Sequence, residues 1–444
     1  MKNLRSTQII FLFVALSFSA MAQQKTSYKF SFGPVKVPAG YTQIKPEMAY
    51  SKEAGYGFDF GSKPTTVDRG GKDALKAGFC TSDKPFYFSV ALPEGNYAVK
   101  ITMGDLKEVT ITTVRAESRR LMLEKVQTAP GKFETKTIMV NIRIPEIAGT
   151  SNKVKLKSRE LTKLNWDDKM TLEFANTRPC INAIEITKVE DAITIYLAGN
   201  STVVDQDDEP WCSWGQMIPQ YFKQNVVVSN QAESGLTLGS FLGDRRLEKV
   251  LNTMKAGDYL FIEFAHNDQK EKGPNDGAYK SYTERFRTFI SEWRKKGGIP
   301  VIVTSTNRRS FGEDGKLTNS LGDYPDAARK VAVEQNVTLI DLNAMTKTFY
   351  EALGPDNSKK AFVIYPENTF PGQTRALNDN THFNGYGAYE LAKCVVEGIR
   401  TSKLGLSNYL IDGLKTFDPA HPDSFETFSL PLSPKSSVVK PDGN

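Results

Sequence analysis

Histidine is scarce in this chain. Only His266, His382 and His421 occur in 444 residues. Cysteine is almost as rare, at four: Cys80, Cys180, Cys212 and Cys394. None of these falls in an H-E-x-x-H or C-x-x-C arrangement, so no metal site is expected. Four cysteines are also too few for a small disulfide scaffold. Cys80 and Cys180 fall in one predicted domain and could pair there, and separate buried thiols is an equally good reading. Cys394 lies on the apolar face of a predicted helix and reads as core. A long basic run is missing too. The balance is 57 basic against 51 acidic side chains, a formal charge of +6. That mild excess does not point to nucleic acid, although it would not repel an acidic polysaccharide. The longest apolar run, Ile9 to Phe18, is too short to span a bilayer comfortably, so no membrane span is expected.

That run has a different use. Lys2 and Arg5 precede it, and Ala20-Met21-Ala22 follows with a small-x-small cleavage pattern. Residues 1–22 therefore read as a signal peptide, and the protein as exported, periplasmic or extracellular. No cysteine follows the cut, so a lipid anchor there is not expected. Charged residues make up 24% and hydrophobic residues 39% of the chain, as in a folded protein. The mature length exceeds one ordinary core, so two domains are expected.

Residues 23–188 read as an all-β sandwich. Short apolar and β-branched runs (Tyr28 to Phe32, Phe86 to Val90, Tyr97 to Met103, Val109 to Val114, Thr137 to Ile144, Ile181 to Val189) alternate with turn residues such as Pro93-Glu94-Gly95-Asn96. Near Asp191 the pattern changes, and residues 189–412 read as α/β. Continuous apolar strands at Ile193 to Ala198, Val226 to Ser229, Tyr259 to Phe264, Val301 to Ser305 and Val337 to Ile340 alternate with amphipathic helices. The expected architecture is a doubly wound, parallel five-stranded sheet. Residues 413–444 lack periodicity and read as a tail, either wrapped over the fold or loose.

In open α/β sheets, sites form at the carboxyl ends of the strands. Four unusual segments fall there: Gly199-Asn200-Ser201-Thr202, Asn230 to Gly235, Ala265-His266-Asn267-Asp268, and Asp379-Asn380-Thr381-His382. Together they supply what acyl transfer needs. Ser201 offers a hydroxyl nucleophile, and His382 a base that works near neutral pH. Asp379, three residues earlier, can hold the imidazole, on one turn of helix or a tight loop. The Ser201 and Gly235 amides and the Asn267 side-chain amide can form an oxyanion hole. His266 follows a strand directly and has no carboxylate at i−3, so a structural role is expected for it.

These blocks resemble those of SGNH (GDSL) hydrolases. Ser201-Thr202-Val203, Ala265-His266-Asn267-Asp268-Gln269 and Asp379-Asn380-Thr381-His382-Phe383-Asn384 are similar to the rhamnogalacturonan acetylesterases, carbohydrate esterase family 12. Gly55-Tyr56-Gly57, Phe58-Asp59-Phe60-Gly61 and Asn182 to Ile186 resemble galactose-binding-like sandwiches. The resemblance implies a flavodoxin-like strand order, no cofactor, and acetyl removal from acidic pectin, with Ser201, His382 and Asp379 as triad and Ser201, Gly235 and Asn267 as oxyanion donors. Two positions depart from the family: Asn200 stands where Asp is usual, and Ala265 where Gly is usual. A galacturonate-bearing polymer calls for a fixed cation, and Arg308, Arg309 and Arg375 are the candidates. Two other readings stand beside this one: an esterase for another polymer such as xylan, and a carbohydrate-binding protein with a degenerate esterase domain. The sandwich is expected to place few titratable groups near the catalytic residues. Its loss should therefore affect polymer binding more than turnover of a small ester.

Overall fold

The computed structural model describes residues 25–34 and 37–442, and the signal-peptide segment lies outside these. The sandwich has two five-stranded sheets. One runs in the order Lys132–Ile142, Gly95–Asp105, Ala183–Val189, Ser27–Ser31, Thr42–Gln43. The other runs Tyr56–Asp59, Phe86–Ala91, Lys169–Ala175, Thr110–Ala116, Arg120–Thr128. Along Gly95–Asp105 the period-two pattern is plain: Tyr97, Val99, Ile101 and Met103 are buried, while Lys100 between them faces solvent. Phe30, Phe32 and Phe58 meet Phe88 edge-on across the core, the arrangement ring quadrupoles favour. All four cysteines are free, buried thiols, so Cys80 and Cys180 are the separate core residues of the second reading.

The sheet of the hydrolase half is parallel. Its strands are Ile193–Gly199, Val226–Asn230, Tyr259–Glu263, Ile299–Val303 and Thr338–Ile340, in spatial order 2-1-3-4-5. Side chains of alternate parity enter two separate cores. Leu197, Phe261 and Val303 join Trp214, Leu391 and Val395 on one face. Ala198, Ile262 and Ile302 join Phe286, Phe289 and Trp293 on the other. Burial on both faces explains why these strands read as unbroken apolar runs. The helical stripe that begins at Trp214 is shorter than its pattern suggests. Pro219 leaves a four-residue α-turn, Trp214–Met217, followed by a 3₁₀ turn.

The sandwich is not an appended module. The turn around Glu117 to Arg120 plugs into the hydrolase half, and Leu121 lies in the hydrolase core. Arg120 Nε donates to Asp205 at 2.6 Å, and Arg119 pairs with Glu209 at 2.5 Å, all four side chains being buried. Farther on, Glu160 pairs with Arg246 at 2.5 Å with both side chains fully enclosed. The tail wraps back over the fold. Ser433 Oγ donates to Glu173, and the Trp211 indole donates to the Ser437 carbonyl at 3.0 Å.

Candidate active site

The first strand ends in a tight turn. The Asn200 carbonyl accepts from the Val203 and Val204 amides at 3.0 Å each. Asn200 Oδ1 accepts from the Thr202 amide at 3.1 Å, a bond Asp would also make. Its Nδ2 is buried without a partner among the described residues, a cost that Asp would not carry. A side chain on Gly199 would strike Val203, so the turn needs glycine there. Ala265 has no positive φ, which explains why a methyl group is accommodated.

Ser201 opens the loop that runs to Ser213. Gln206 Nε2 donates to the Ser201 carbonyl at 3.0 Å. Arg119, from the sandwich, donates to the Gln206 and Trp211 carbonyls. The same loop reaches the histidine segment: the Cys212 amide donates to Phe383 O at 2.9 Å, and the Trp211 ring stands edge-on to His382 at 5.8 Å. Ser201, Asp379 and His382 are exposed by only 2, 3 and 1%.

Asp379 and His382 lie on neither a helix turn nor a simple loop. They belong to an irregular strand, Leu377–Phe383, paired with Phe362–Tyr365. Val363 opposes Asp379 while the adjacent Phe362 opposes Phe383, so residues 380–382 bulge out. The bulge folds His382 back onto Asp379. Nδ1 and Oδ2 are 2.8 Å apart, and Asp379 Oδ1 accepts from the Thr381 and His382 amides at 2.8 and 3.0 Å. Burial pushes the Asp379 carboxyl up, but the His382 hydrogen bond and charge and the two amides outweigh it, and its pKa falls to about 2.

On the second strand's loop, Gly235 has φ of +78°, and its backbone is crowded on the outer side by Lys157 and Asp442. Among the described residues, no group accepts from the Ser201 or Gly235 amides. Asn267 donates to the Leu236 carbonyl at 3.1 Å, which ties the third strand's loop to the second's. His266 is buried, with Nδ1 3.4 Å from Ser305 Oγ, and burial first, then the Arg308 and His382 charges, push its pKa well below the ordinary value.

Beneath the loops sits Glu263, a residue the sequence reading passed over. It receives the Trp214 indole at 2.7 Å and contacts Thr202 Oγ1 at 2.9 Å and Ser305 Oγ at 3.2 Å. Burial outweighs these bonds and raises its pKa to about 7. Thr202 Oγ1 also lies 2.9 Å from Asn200 Oδ1. One hydroxyl hydrogen cannot serve both acceptors, and a protonated Glu263 that donates to Thr202 resolves the conflict.

The three arginines separate. Arg308 lies at the site, bonded to the His266 and Ser320 carbonyls at 3.3 Å and within the field of Asp379. Arg309 is committed elsewhere, to Ser358 Oγ, the Pro355 carbonyl and Asn380 Oδ1, where it braces the bulge. Arg375 is exposed on the segment before the strand. Other cations stand near the site. Lys440 Nζ is 3.6 Å from Asp379 Oδ2, Lys270 contacts Asn267 Oδ1 at 3.3 Å, and Lys157 abuts Gly235.

A five-stranded parallel sheet whose strands lead into the Ser201, Gly235 and Asn267 loops, with an Asp-x-x-His pair on a bulged strand tied to the first of them, is the arrangement of an SGNH-type acylhydrolase. The chain belongs to the GDSL-like lipase/acylhydrolase family, which its residues 197–388 match, and is thus a carboxylic ester hydrolase. Residues 28–140 match the beta-agarase/YXIM esterase-like, galactose-binding domain-like family. Among relatives, the rhamnogalacturonan acetylesterase RhgT of Bacillus subtilis is 42% identical over 221 residues, 49% of this chain and 94% of its own. The probable rhamnogalacturonan acetylesterase YesY of the same organism is 32% identical over 220 residues, 49% of this chain and 97% of its own. The uncharacterized esterase YxiM, also from B. subtilis, is 26% identical over 392 residues, 85% of this chain and 92% of its own.

Proposed function

We propose that this protein removes acetyl groups from acetylated rhamnogalacturonan outside the cytoplasm. The observation that carries this reading is the Asp379–His382 pair at 2.8 Å, on a strand tied to the Ser201 loop by the Cys212 amide and the Phe383 carbonyl. An Asp379 carboxylate that accepts from Nδ1–H leaves Nε2 as the basic nitrogen. Ser201 Oγ attacks the acetyl carbonyl as its proton passes to Nε2. The Ser201 and Gly235 amides and the Asn267 amide take up the charge on the oxygen. His382 then gives that proton to the departing sugar oxygen, which leaves as a hydroxyl, and water repeats the sequence on the acyl-serine to release acetate. No step calls for a cofactor.

The choice of an acidic polymer draws on the cations at the site, Arg308 and Lys270. They favour galacturonate over neutral xylan. The relatives named as rhamnogalacturonan acetylesterases support the same choice. Acetate release from acetylated rhamnogalacturonan and acetylated xylan tests it. A clear preference for the former is expected, and equal or reversed rates contradict it.

A further inference from the structure

The loop that carries Gly235 is held from outside by the sandwich half of the chain. Lys157 Nζ and Arg159 Nη2 both donate to the Ser234 carbonyl at 2.6 Å. Arg159 Nε also donates to Glu233 Oε1 at 2.8 Å, and Lys163 Nζ donates to Glu233 Oε2 at 2.9 Å. Glu233 is buried, and its own Oε1 accepts from the Ser234 amide at 2.9 Å. On the inner side, the Glu233 amide donates to the Gly199 carbonyl at 3.3 Å, just ahead of Ser201.

The Ser234 carbonyl and the Gly235 N–H belong to one peptide plane. That peptide is trans, so the two groups point in opposite directions. Two cations that fix the carbonyl outward therefore aim the N–H inward, and no described residue takes that hydrogen. The positive charges also polarise the peptide, which makes its N–H a better donor.

We propose that Lys157 and Arg159 are positioning residues for ester hydrolysis. They orient the Gly235 amide by holding the far end of its peptide, and Glu233 and Lys163 anchor Arg159 in place. The inference rests on Gly235 being an oxyanion donor, as proposed above. It assigns to the sandwich half a direct part in the reaction. Nothing in the local sequence signals this, because Lys157 and Arg159 lie more than seventy residues before the loop they hold.

The test compares Lys157→Met, Arg159→Gln and the double variant with the parent, on p-nitrophenyl acetate. The double variant is expected to lose roughly 10-fold or more in kcat, since misaiming one oxyanion donor removes part of its effect, while KM changes less than about twofold. Affinity for phenylboronic acid, whose adduct on Ser201 is tetrahedral, is expected to fall in parallel, and Arg159→Lys to recover part of both. A folded double variant with kcat within about twofold of the parent overturns the proposal. If the double variant does not fold, Lys157→Met alone carries the test, with an expected loss of roughly threefold and unchanged kcat as the contrary result. Ser201→Ala is assayed alongside. If it stays active, the functional reading itself fails. If it is inactive and the cation variants are normal, only the positioning role fails.

Discussion

At the scale of single residues, the surroundings push two carboxyls in opposite directions. His382 and two backbone amides hold Asp379 ionised, and burial raises the Glu263 carboxyl. The Glu263 carboxyl titrates at about 7 in the folded chain, above its ordinary 4.5. Its contribution to stability is therefore fully present below pH 4.5 and lost as pH rises through 7. Glu263→Gln mimics the protonated form and removes that loss, worth on the order of 3 kcal/mol at full ionisation. The melting temperature of Glu263→Gln relative to the parent is expected to rise between pH 5 and pH 8. A gap that stays constant over that range means Glu263 is ionised throughout.

The cation proposed to meet the substrate, Arg308, also belongs to this scale. Arg308→Gln is expected to lower kcat/KM on acetylated rhamnogalacturonan by roughly 10-fold, the worth of a charge-assisted bond, and to leave p-nitrophenyl acetate nearly untouched. Equal losses on both substrates mean that Arg308 shapes the site instead. The positions of Ser201, Gly235 and Asn267 on loops after strands were legible from sequence because each follows an apolar run, and the Asp379–His382 contact because of their spacing. Glu263 was not, because a single acid at a strand end carries no sign of its protonation state. Arg309 had the same local signal as Arg308, and only tertiary contacts separate them.

Among the elements, the turn around Glu117 to Arg120 does most to bind the halves together. Arg120 meets Asp205, the Asn141 carbonyl and Asn165 Oδ1 with almost no solvent access. Removing one member of a buried pair strands the other, at about 3–5 kcal/mol. Arg120→Ala is expected to lower the unfolding free energy by that amount in urea titration, and a change under about 1 kcal/mol contradicts the assigned burial. The hydrolase strands were readable because burial on both faces leaves continuous apolar runs. This turn was not, since Glu-Ser-Arg-Arg in a hairpin looks like a solvated surface and its acidic partners, Asp205 and Glu209, lie more than eighty residues away. The Asp379 to His382 spacing was readable, but its bulge was not, because pairing with Phe362–Tyr365 decides it.

For the whole molecule, the sandwich is interlocked with the hydrolase half. Segments of the sandwich touch both the Ser201 loop and the Gly235 loop. The tail closes the arrangement. Ser437 bonds Trp211, Lys440 approaches Asp379, and Asp442 pairs with Arg159 beside Gly235. Residues 437–442 thus lie across the His382 and Gly235 segments, and their removal uncovers both. A chain ending at Ser436 is expected to show a higher kcat/KM on p-nitrophenyl acetate. A fall instead means that the tail supports the site it covers.

The proposed function makes Ser201 the nucleophile of a polysaccharide acetylesterase. It is tested most directly by acetate release from acetylated rhamnogalacturonan by the parent and by Ser201→Ala, with melting temperatures recorded for both. The account predicts release by the parent and a loss of at least about 10³-fold in the variant, at unchanged melting temperature. Near-normal release by folded Ser201→Ala contradicts it.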